Sequence, residues 1–495
     1  MSTAALSRRA PSPPTLDFDL VRKFFLGFAA IFAFVAPFTP EPMVTIVGAV
    51  VPWVLLSIIG TPTMPAAVMY IFLWQWMQVY TRVPLSWIDH ETLSTGLFGP
   101  DVGRAYWYML ASLVVMAGAF RAVLGNLKPP TRWQLTAHYR WQLTDLLMVY
   151  GLSMAISIAA SFAIRSVPAL AQILDAVARL KVIGLFMLFT YCMSTGRGQT
   201  MMLGVILFEI AVGFTGFLSD FRGVFVYLAI AAVAARVKFR LTTGLATAAG
   251  VAGLVALALF WTSVKTEYRN YAAQSDESQN IKVPLSERMA YLGERALSSK
   301  DMNLSETSYA LLSRLAYVDI FGSVIGVQTA SPEPIPLRQW SEALGHVLQP
   351  RFLFPNKAAL SDTDVYMRLA RAMTNDEIRA GTSISVGYMA ENYADLGFPG
   401  MLIGIAILGL LLATVIRALL NYPLPQIMRD GIIMGFAFSM ARDGVEVSLP
   451  KILGGMMMFF IVSIVLCKFA YPRVVQWLDN RAAAIGSRSS RLKPS

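Results

Sequence analysis

The feature that most constrains this chain is the recurrence of apolar runs long enough to cross a bilayer. A hydrocarbon core of roughly 30 Å needs about 20 apolar residues in a helix. The chain is 56% apolar and 14% charged, whereas soluble domains carry about 25% charged residues. The runs are continuously apolar, which favours helices over the alternating strands of a barrel. We therefore predict an all-α polytopic membrane protein with twelve spans, at 24–39, 43–60, 64–80, 105–124, 143–164, 176–193, 200–218, 223–236, 243–262, 399–417, 431–447 and 451–468.

Lysine and arginine residues predict the orientation, because they concentrate in cytoplasmic loops. With the N-terminus inside, the inner segments hold Arg8, Arg9, Arg22, Lys23, Arg121, Lys128, Arg132, Arg140, Arg197, Arg236, Lys238, Arg240, Arg417, Arg429, Lys468, Arg473, Arg481, Arg488, Arg491 and Lys493. The short outer segments hold Arg82, Arg104, Arg165, Arg179, Lys181, Arg222, Arg442 and Lys451. This bias of more than twofold predicts that both termini are in the cytoplasm.

The predicted organisation has five parts. A cytoplasmic tail at 1–23 precedes nine spans within 24–262, a large periplasmic loop follows at 263–398, three further spans lie within 399–470, and a basic cytoplasmic tail ends the chain at 471–495. The net charge of +11 lies in tails and short loops and orients helices, so we do not predict nucleic-acid binding. Neither Cys192 nor Cys467 falls in the loop, so no disulfide framework supports it.

The large loop is predicted to contain short helices. Ser305 to Val327 has helical periodicity, and further helices are predicted at Trp340 to Leu348 and at Ser361 to Arg379. Between the last two lies Pro350-Arg351-Phe-Leu-Phe-Pro355-Asn-Lys357, in which prolines restrict the backbone that carries two cations. Gly387 to Gly397 leads directly into the tenth span.

Cations near the outer membrane surface are the strongest local signal. Arg222 follows Asp220 at the end of a span, and Arg442 with Asp443 falls inside one. Charges at membrane depth are costly, so they usually face a bundle interior or a polar cavity. Guanidinium groups bind phosphate oxygens bidentately, which points to a lipid diphosphate; a structural Asp–Arg pair is the alternative for each residue. Three loop cations are candidates to complete the group, namely Arg314, Arg351 and Lys357, unless they are solvated surface residues.

Several residues are candidates for proton transfer. Glu391 is a candidate base for a sugar hydroxyl, and its alternative is an interfacial carboxylate paired with an arginine. His346 and His90 lie in outer segments, where either imidazole suits a base, whereas His138 lies on the cytoplasmic side and is predicted to be structural. Asp362-Thr-Asp364 resembles a metal-binding D-x-D pattern, but a helix N-cap explains it better.

Four elements support a resemblance to a known family. They are Ser219-Asp-Phe-Arg222-Gly223, Leu312-Ser-Arg314-Leu, the P-R-x-L-x-P-x-K segment at Pro350 to Lys357, and the G-x-x-x-E-x-Y-x-x-x-G run at Gly387 to Gly397. In this order the region 180–470 resembles the bacterial O-antigen and exopolysaccharide repeat-unit polymerases, which act on undecaprenyl-diphosphate-linked oligosaccharides. One departure is Ala358, where the family usually has a proline after the lysine.

The resemblance implies a GT-C-like fold and a glycosyl transfer without nucleotide, metal or other cofactor. It implies catalytic roles for Arg351, Arg314 and Glu391, with Glu391 as the base. It assigns substrate binding to Arg222, Lys357, Arg442, His346, Tyr388 and Tyr393, with Trp340 and Tyr366 as further aromatic residues for stacking on sugars. The implied partners are the lipid-linked oligosaccharide, membrane lipid, a flippase and chain-length regulator proteins.

Three other function classes remain open at this point. The O-antigen ligases share the architecture and use outer arginines and a histidine, so His346 keeps that alternative. A transporter or flippase of lipid-linked sugars needs a charged path across the membrane, and the middles of spans two to five and nine carry almost no charge. A scaffold for polysaccharide secretion would bind partners through the loop and tolerate loss of its arginines.

Overall fold

The computed structural model describes residues 18–96, 99–214, 221–238, 240–274, 281–298, 303–349, 353–354, 356–357, 361–371, 384–441 and 444–491. Every regular element in these ranges is helical. The α-helices are α1 Phe18–Val35, α2 Pro42–Ile59, α3 Ala67–Tyr80, α4 Arg82–Asp89, α5 Asp101–Leu124, α6 Arg132–Thr136, α7 Leu143–Ser166, α8 Ala171–Ala178, α9 Leu180–Thr195, α10 Gln199–Gly213, α11 Arg222–Ala234, α12 Leu241–Ala273, α13 Leu285–Leu297, α14 Leu304–Leu315, α15 Val318–Ala330, α16 Arg338–Leu348, α17 Asp362–Leu369, α18 Tyr388–Leu420, α19 Gln426–Ala441, α20 Leu449–Val465 and α21 Tyr471–Arg491. Short 3-10 turns lie at Ala36–Phe38, Ala137–Arg140, Pro168–Leu170 and Gly444–Glu446, and a π turn at Leu466–Ala470 joins α20 to α21.

The prediction of a helical membrane protein is confirmed in its main feature. Each of the twelve predicted ranges overlaps a helix, and the sixth overlaps two, α8 and α9. Within these ranges, residues 215–218 and 442–443 lie outside the described residues. Among the described residues, seven helices are long and apolar enough to cross a membrane: Asp19–Phe38, Pro42–Ile59, Asp101–Leu124, Leu143–Ile164, Leu241–Ala273, Tyr388–Leu420 and Leu449–Ala484. The bent pair α14 and α15 makes an eighth if it is taken as one span.

The centre of the bundle is built on α5 and α18, which pack along each other. Around them lie α2, α3, α9 and α19, and their buried residues form one continuous apolar core. These helices are apolar around most of their circumference, as expected for helices that contact other helices on one side and lipid on the other. A smaller cluster at Phe214, Tyr268 and Leu292 joins α10, α12 and α13.

Two helices extend across the predicted ends of the large loop. Helix α12 continues from Leu241 to Ala273, and at 1.5 Å per residue its 33 residues span about 50 Å. A helix of this length exceeds the roughly 30 Å of a bilayer core. Helix α18 begins at Tyr388, and its backbone is non-helical at Gly397 and Phe398, where a break separates a short N-terminal portion from the apolar remainder.

The single helix predicted from Ser305 to Val327 is a bent pair. Helices α14 and α15 meet at an angle of 52°. Ala316 is extended, and the N–H of Tyr317 lies 3.3 Å from the carbonyl oxygen of Gln78 in α3. The apolar periodicity continues across the junction, so sequence periodicity alone did not reveal the bend. A hydrogen bond to another helix replaces the one that would have continued α14.

Helix α15 lies against the N-terminal end of α5 instead of on a free surface. A β-carbon at Gly322 would lie 2.8 Å from a Val102 methyl and 3.0 Å from its Cα, so glycine permits the close approach. Nearby, Asp319 accepts a hydrogen bond from Nε of Arg82 at 2.8 Å. Both side chains are buried, so this ion pair ties the large loop to α4 inside the protein.

The opposite end of the bundle holds the C-terminal helix and a cavity. Trp141 donates to Asp479 at 2.9 Å, and Arg481 donates to Asp145 at 2.6 Å, so α21 is fixed against the start of α7. A cavity of about 500 Å³ lies at this end. We call it the five-segment cavity because its lining residues come from 62–64, 127–139, 190–194, 234–236 and 426–430.

Candidate functional site

The candidate site is built around the first turns of α18. Gly387 precedes the helix with φ of 83°, and a β-carbon there would collide with the carbonyl oxygen of Val445. The N–H of Tyr388 donates to the carbonyl oxygen of Val447 at 2.8 Å. The segment 444–447 therefore lies directly against the start of α18, and only a residue without a side chain fits at 387.

Glu391 lies at the N-terminus of another helix. Its carboxylate accepts a hydrogen bond from the N–H of Leu449 at 2.5 Å, and Leu449 is the first residue of α20. The side chain is only 2% exposed. The partner is therefore a helix N-terminus, which carries partial positive charge, whereas the alternative weighed from the sequence was an arginine. Arg368 lies within electrostatic reach.

Asp395, one turn further along α18, has the same relation to α16. Its two oxygens accept hydrogen bonds from the N–H groups of Gln339 at 3.0 Å and Trp340 at 2.9 Å. The indole of Trp340 also donates to Asn392 at 2.9 Å. The start of α18 thus holds the N-terminal ends of α16 and α20 through two carboxylates one turn apart.

A group of acids and tyrosines surrounds Glu391. Asp362, Glu391 and Glu446 all lie within electrostatic reach of Tyr317, as does Tyr366. We call these five residues the carboxylate cluster. They come from the bend after α14, from α17, from α18 and from the turn before α20, so distant parts of the sequence converge here.

The acids of this cluster have partners of their own. Asp362 accepts from the Ser448 hydroxyl at 3.0 Å and from the Lys451 ammonium. Glu446 accepts from Nε2 of Gln78 at 3.0 Å. The N-cap predicted in the D-x-D region is Ser361, whose hydroxyl accepts from the N–H of Asp364 at 3.2 Å.

Arg314 belongs to a second group, formed with Lys265 and Arg269 of α12. The charge of Arg314 acts on both of these cations. Lys265 and Arg269 are one turn apart and half-buried, whereas Arg314 on α14 is exposed. We call these three residues the cation cluster. Lys265 and Arg269 lie on the last three turns of the 33-residue helix α12.

Other predicted cations lie apart from that cluster. The Arg222 guanidinium lies 5.7 Å from the centre of the Trp74 ring in α3. Trp74 is one turn before Gln78, which bonds Glu446, so Arg222 lies one helical turn from the carboxylate cluster along α3. His90 ends α4 in a left-handed conformation with φ of 55° and is exposed.

Lys357 and His346 meet at the end of α16. The Lys357 ammonium donates to the carbonyl oxygen of His346 and, at 2.7 Å, to that of Gln349. A cation on the last carbonyls of a helix complements the helix dipole. The contact therefore stabilises the end of α16, with the half-buried His346 side chain beside it.

The predicted aromatic residues differ in their access to a ligand. Tyr388 is 1% exposed, and its hydroxyl donates to Gln75 inside the core. Tyr393 is half-buried, with its ring 6.0 Å from Tyr108 and 5.6 Å from Phe321. Tyr366 is buried within the carboxylate cluster. Of these rings, Tyr393 lies nearest to an exposed surface, because Phe398, stacked at 4.0 Å on Tyr108, is 45% exposed.

Two predicted site residues, Arg351 and Arg442, lie outside the described residues. For the others, the structure brings Glu391 together with Asp362, and Lys357 together with His346. It brings Arg314 together with Lys265 and Arg269, neither of which was predicted from the sequence as a site residue. A sequence pattern could have identified Lys265 and Arg269. They are two cations four residues apart, immediately after an apolar run, and residues at this spacing lie on one face of a helix.

The arrangement offers chemistry for an anion and for a proton. Three neighbouring cations repel one another, and a bound phosphate or carboxylate would offset that repulsion. Buried carboxylates beside tyrosine hydroxyls are groups that accept or transfer protons. Within the described ranges, no three or more His, Cys, Asp or Glu side chains are grouped so that they could hold a metal ion.

Comparison with known proteins gives one result for this chain. Neither a curated protein nor a solved structure matches it. A family model matches residues 107–419, more than half of the chain, from α5 to the end of α18. The match includes the cation cluster and Glu391. The chain therefore belongs to the family described as a domain of unknown function (DUF8712).

Proposed function

We propose that this protein is a membrane glycosyltransferase that polymerises oligosaccharide repeat units carried on undecaprenyl diphosphate. The observation that carries the proposal is the position of Tyr317. It follows Arg314 of the cation cluster by three residues and is itself a member of the carboxylate cluster. An anion site and a proton-accepting site thus flank one junction, which suits a reaction with a charged lipid leaving group and a sugar nucleophile.

The cation cluster is the proposed site of the diphosphate. Lys265 and Arg269 are half-buried, so solvent screens their charges less than it screens those of fully exposed cations. Charge grows on the diphosphate as the glycosidic bond breaks, and fixed cations at that position stabilise the transition state. The proposed set of diphosphate-binding cations also includes Arg351, Arg442 and Arg222, as their motifs imply.

Glu391 is the proposed base. A sugar hydroxyl of one lipid-linked glycan transfers its proton to the carboxylate as its oxygen attacks the anomeric carbon of the other. The bond from that carbon to the diphosphate oxygen breaks, and undecaprenyl diphosphate leaves with the electron pair. Tyr393, Trp340, Lys357 and His346 remain proposed contacts to the glycan. We leave Tyr388 out of that set because its ring is enclosed and its hydroxyl bonds Gln75.

The proposed topology has twelve spans of a GT-C-like bundle in a bacterial inner membrane, with both termini cytoplasmic and the large loop periplasmic. Two groups of contacts support it. Five predicted inner segments line the five-segment cavity. Predicted outer segments meet elsewhere, as Arg82 pairs with Asp319 and Leu449 with Glu391. The alternation of spans that the charges predict would bring each set together in this way.

The test is the length of the glycan made in membranes from a strain that supplies the lipid-linked repeat unit. Arg314→Ala is expected to leave single repeat units, and Arg314→Lys is expected to restore only part of the polymer because an ammonium lacks the planar fork. Arg295→Ala is the matched control, since Arg295 is also a loop arginine but pairs with Glu267 at 2.7 Å.

Each outcome separates the proposal from its alternatives. Full-length polymer from Arg314→Ala at normal protein levels would remove this residue from the mechanism. Loss of all surface glycan on gene deletion, with repeat units trapped inside, would indicate a flippase. Polymer that forms but is not joined to its acceptor would indicate a ligase, and a change in amount alone would indicate a scaffold.

A further inference from the structure

The five-segment cavity has a basic wall. Lys128, Arg236 and Arg429 line it, and Asp430 is the single carboxylate among the lining residues. Nε2 of Gln426 donates to Asp430 at 2.7 Å, and the charge of Arg429 acts on the same carboxylate. Three cations around one carboxylate leave an excess of positive charge facing the cavity.

Arg429 is buried without full compensation. Its side chain is 9% exposed, and its Nε has no hydrogen-bond partner among the described residues. A buried guanidinium group normally has its donors satisfied, because an unmet hydrogen bond to a charged group is costly. Here the group lies in the wall of a cavity of about 500 Å³, where an acceptor on a ligand can meet it.

His138 adds an uncharged partner to the same wall. Burial lowers its pKa to about 4, so the imidazole is neutral near pH 7. Nε2 lies 3.3 Å from the Ser194 hydroxyl, and Nδ1 has no partner among the described residues. The contact with Ser194 uses one ring nitrogen of His138. The other nitrogen is available to a ligand, which adds to the structural role predicted for this residue.

The remaining wall is largely apolar, with Met64, Leu127, Leu135 and Ile427. We propose that the cavity binds a phosphate-bearing anion, with the phosphate on Arg429, Arg236 and Lys128 and its apolar part against these side chains. Guanidinium groups match phosphate oxygens in geometry and charge. The phosphate belongs either to a lipid headgroup or to a soluble phosphate. The inference does not rest on the proposed glycosyltransferase function, because the two groups of residues are separate.

Binding to the purified full-length protein in lipid nanodiscs tests this. The probes are inorganic phosphate and dodecyl phosphate below its micelle concentration, each titrated by calorimetry. Arg429→Gln is expected to weaken binding at least about tenfold, and Lys128→Gln, which removes an exposed cation, by roughly threefold. Arg140→Gln is the matched control, because Arg140 is exposed in the same segment as His138 but does not line the cavity.

The two probes distinguish the sources of the phosphate. Much tighter binding of dodecyl phosphate supports a lipid headgroup, and equal binding supports a soluble phosphate. No binding of either probe, or equal affinities in Lys128→Gln and Arg140→Gln, would overturn the proposal. If Arg429→Gln does not fold, the affinity of Lys128→Gln tests the proposal by itself. Lys128 is exposed, so its replacement should not affect folding.

Discussion

The start of α18 and the five-segment cavity differ in whether their buried polar groups have partners within the protein. At the start of α18, Glu391 and Asp395 each accept hydrogen bonds from the N-terminus of another helix. In the five-segment cavity, Arg429 and His138 keep nitrogen atoms without partners among the described residues. Polar groups that the chain itself satisfies fix its structure, whereas those it leaves unmet are available for a ligand.

The difference has energetic consequences. Where a polar group already has a partner, its removal leaves that partner buried and unmet, so stability falls. Where a buried cation lacks a full set of hydrogen-bond partners, its removal also removes the free-energy cost of burying the charge. The net loss of stability is therefore smaller. Substitutions at the start of α18 and in the five-segment cavity should therefore show which polar groups stabilise the fold and which are available to bind a ligand.

The largest expected effect is at the ion pair between α4 and α15. Arg82→Ala leaves Asp319 buried without its main partner, and we expect a loss of about 3–5 kcal/mol in the free energy of unfolding. Thermal unfolding in nanodiscs measures it. Arg104→Ala is the matched control, because the Arg104 side chain is exposed where it pairs with the half-buried Asp101, and about 1 kcal/mol or less is expected.

A second variant shows whether the loss at Arg82 comes from the buried charge. Arg82→Met combined with Asp319→Leu removes both charges while keeping apolar volume, so much of the lost stability should return. A double variant as unstable as Arg82→Ala would contradict a charge-based explanation.

An intermediate effect on stability, with a large difference in activity, is expected at the start of α18. Glu391→Gln retains an oxygen that accepts from the N–H of Leu449, whereas Asp395→Asn retains one of the two oxygens that accept from Gln339 and Trp340. We therefore expect stability to fall by about 1 kcal/mol for Glu391→Gln and by about 2 kcal/mol for Asp395→Asn. Only Glu391→Gln removes the proposed base, and we expect polymer formation to fall by roughly 10²–10⁴-fold. Product length on gels and thermal unfolding of the same preparations measure the two properties.

Asp395→Asn is the control for that comparison, since it alters the same helix and the same kind of contact. Equal polymer formation by the two variants would show that Glu391 acts only as a helix cap.

The smallest effect on stability is expected in the five-segment cavity. Arg429→Gln removes a charge whose Nε is unmet, and Asp430 keeps its hydrogen bond from Gln426, so we expect the free energy of unfolding without ligand to change by less than about 1 kcal/mol. Thermal unfolding without and then with dodecyl phosphate measures it. A loss as large as that of Arg82→Ala, already present without ligand, would mean that the guanidinium is structural.

The sequence was sufficient to predict the helices because run length and apolar character determine them locally. All twelve predicted ranges overlap helices in the described part of the chain, and the short helix predicted at Trp340 to Leu348 is confirmed, beginning at Arg338. The N-cap near Asp362 was also predicted, and Ser361 provides it. These features depend on residues within a few positions of one another.

Features that depend on distant contacts were not predictable. The bend at Ala316 follows from a hydrogen bond between Tyr317 and Gln78, which are far apart in the chain. Asp395 looks like any surface carboxylate until α16 is placed beside it. The five-segment cavity draws on segments spread from 62 to 430, and no local pattern relates them.

The packing of α15 against α5 has a consequence for the folding of the large loop. Val318, Phe321, Val324 and Ile325 are buried there, and the Gly322 backbone touches Val102. A fragment containing residues 263–398 alone would expose this apolar face to water and would tend to aggregate. The large loop therefore reaches its final shape only once α5 lies beside it. This part of the chain and the bundle are one folding unit.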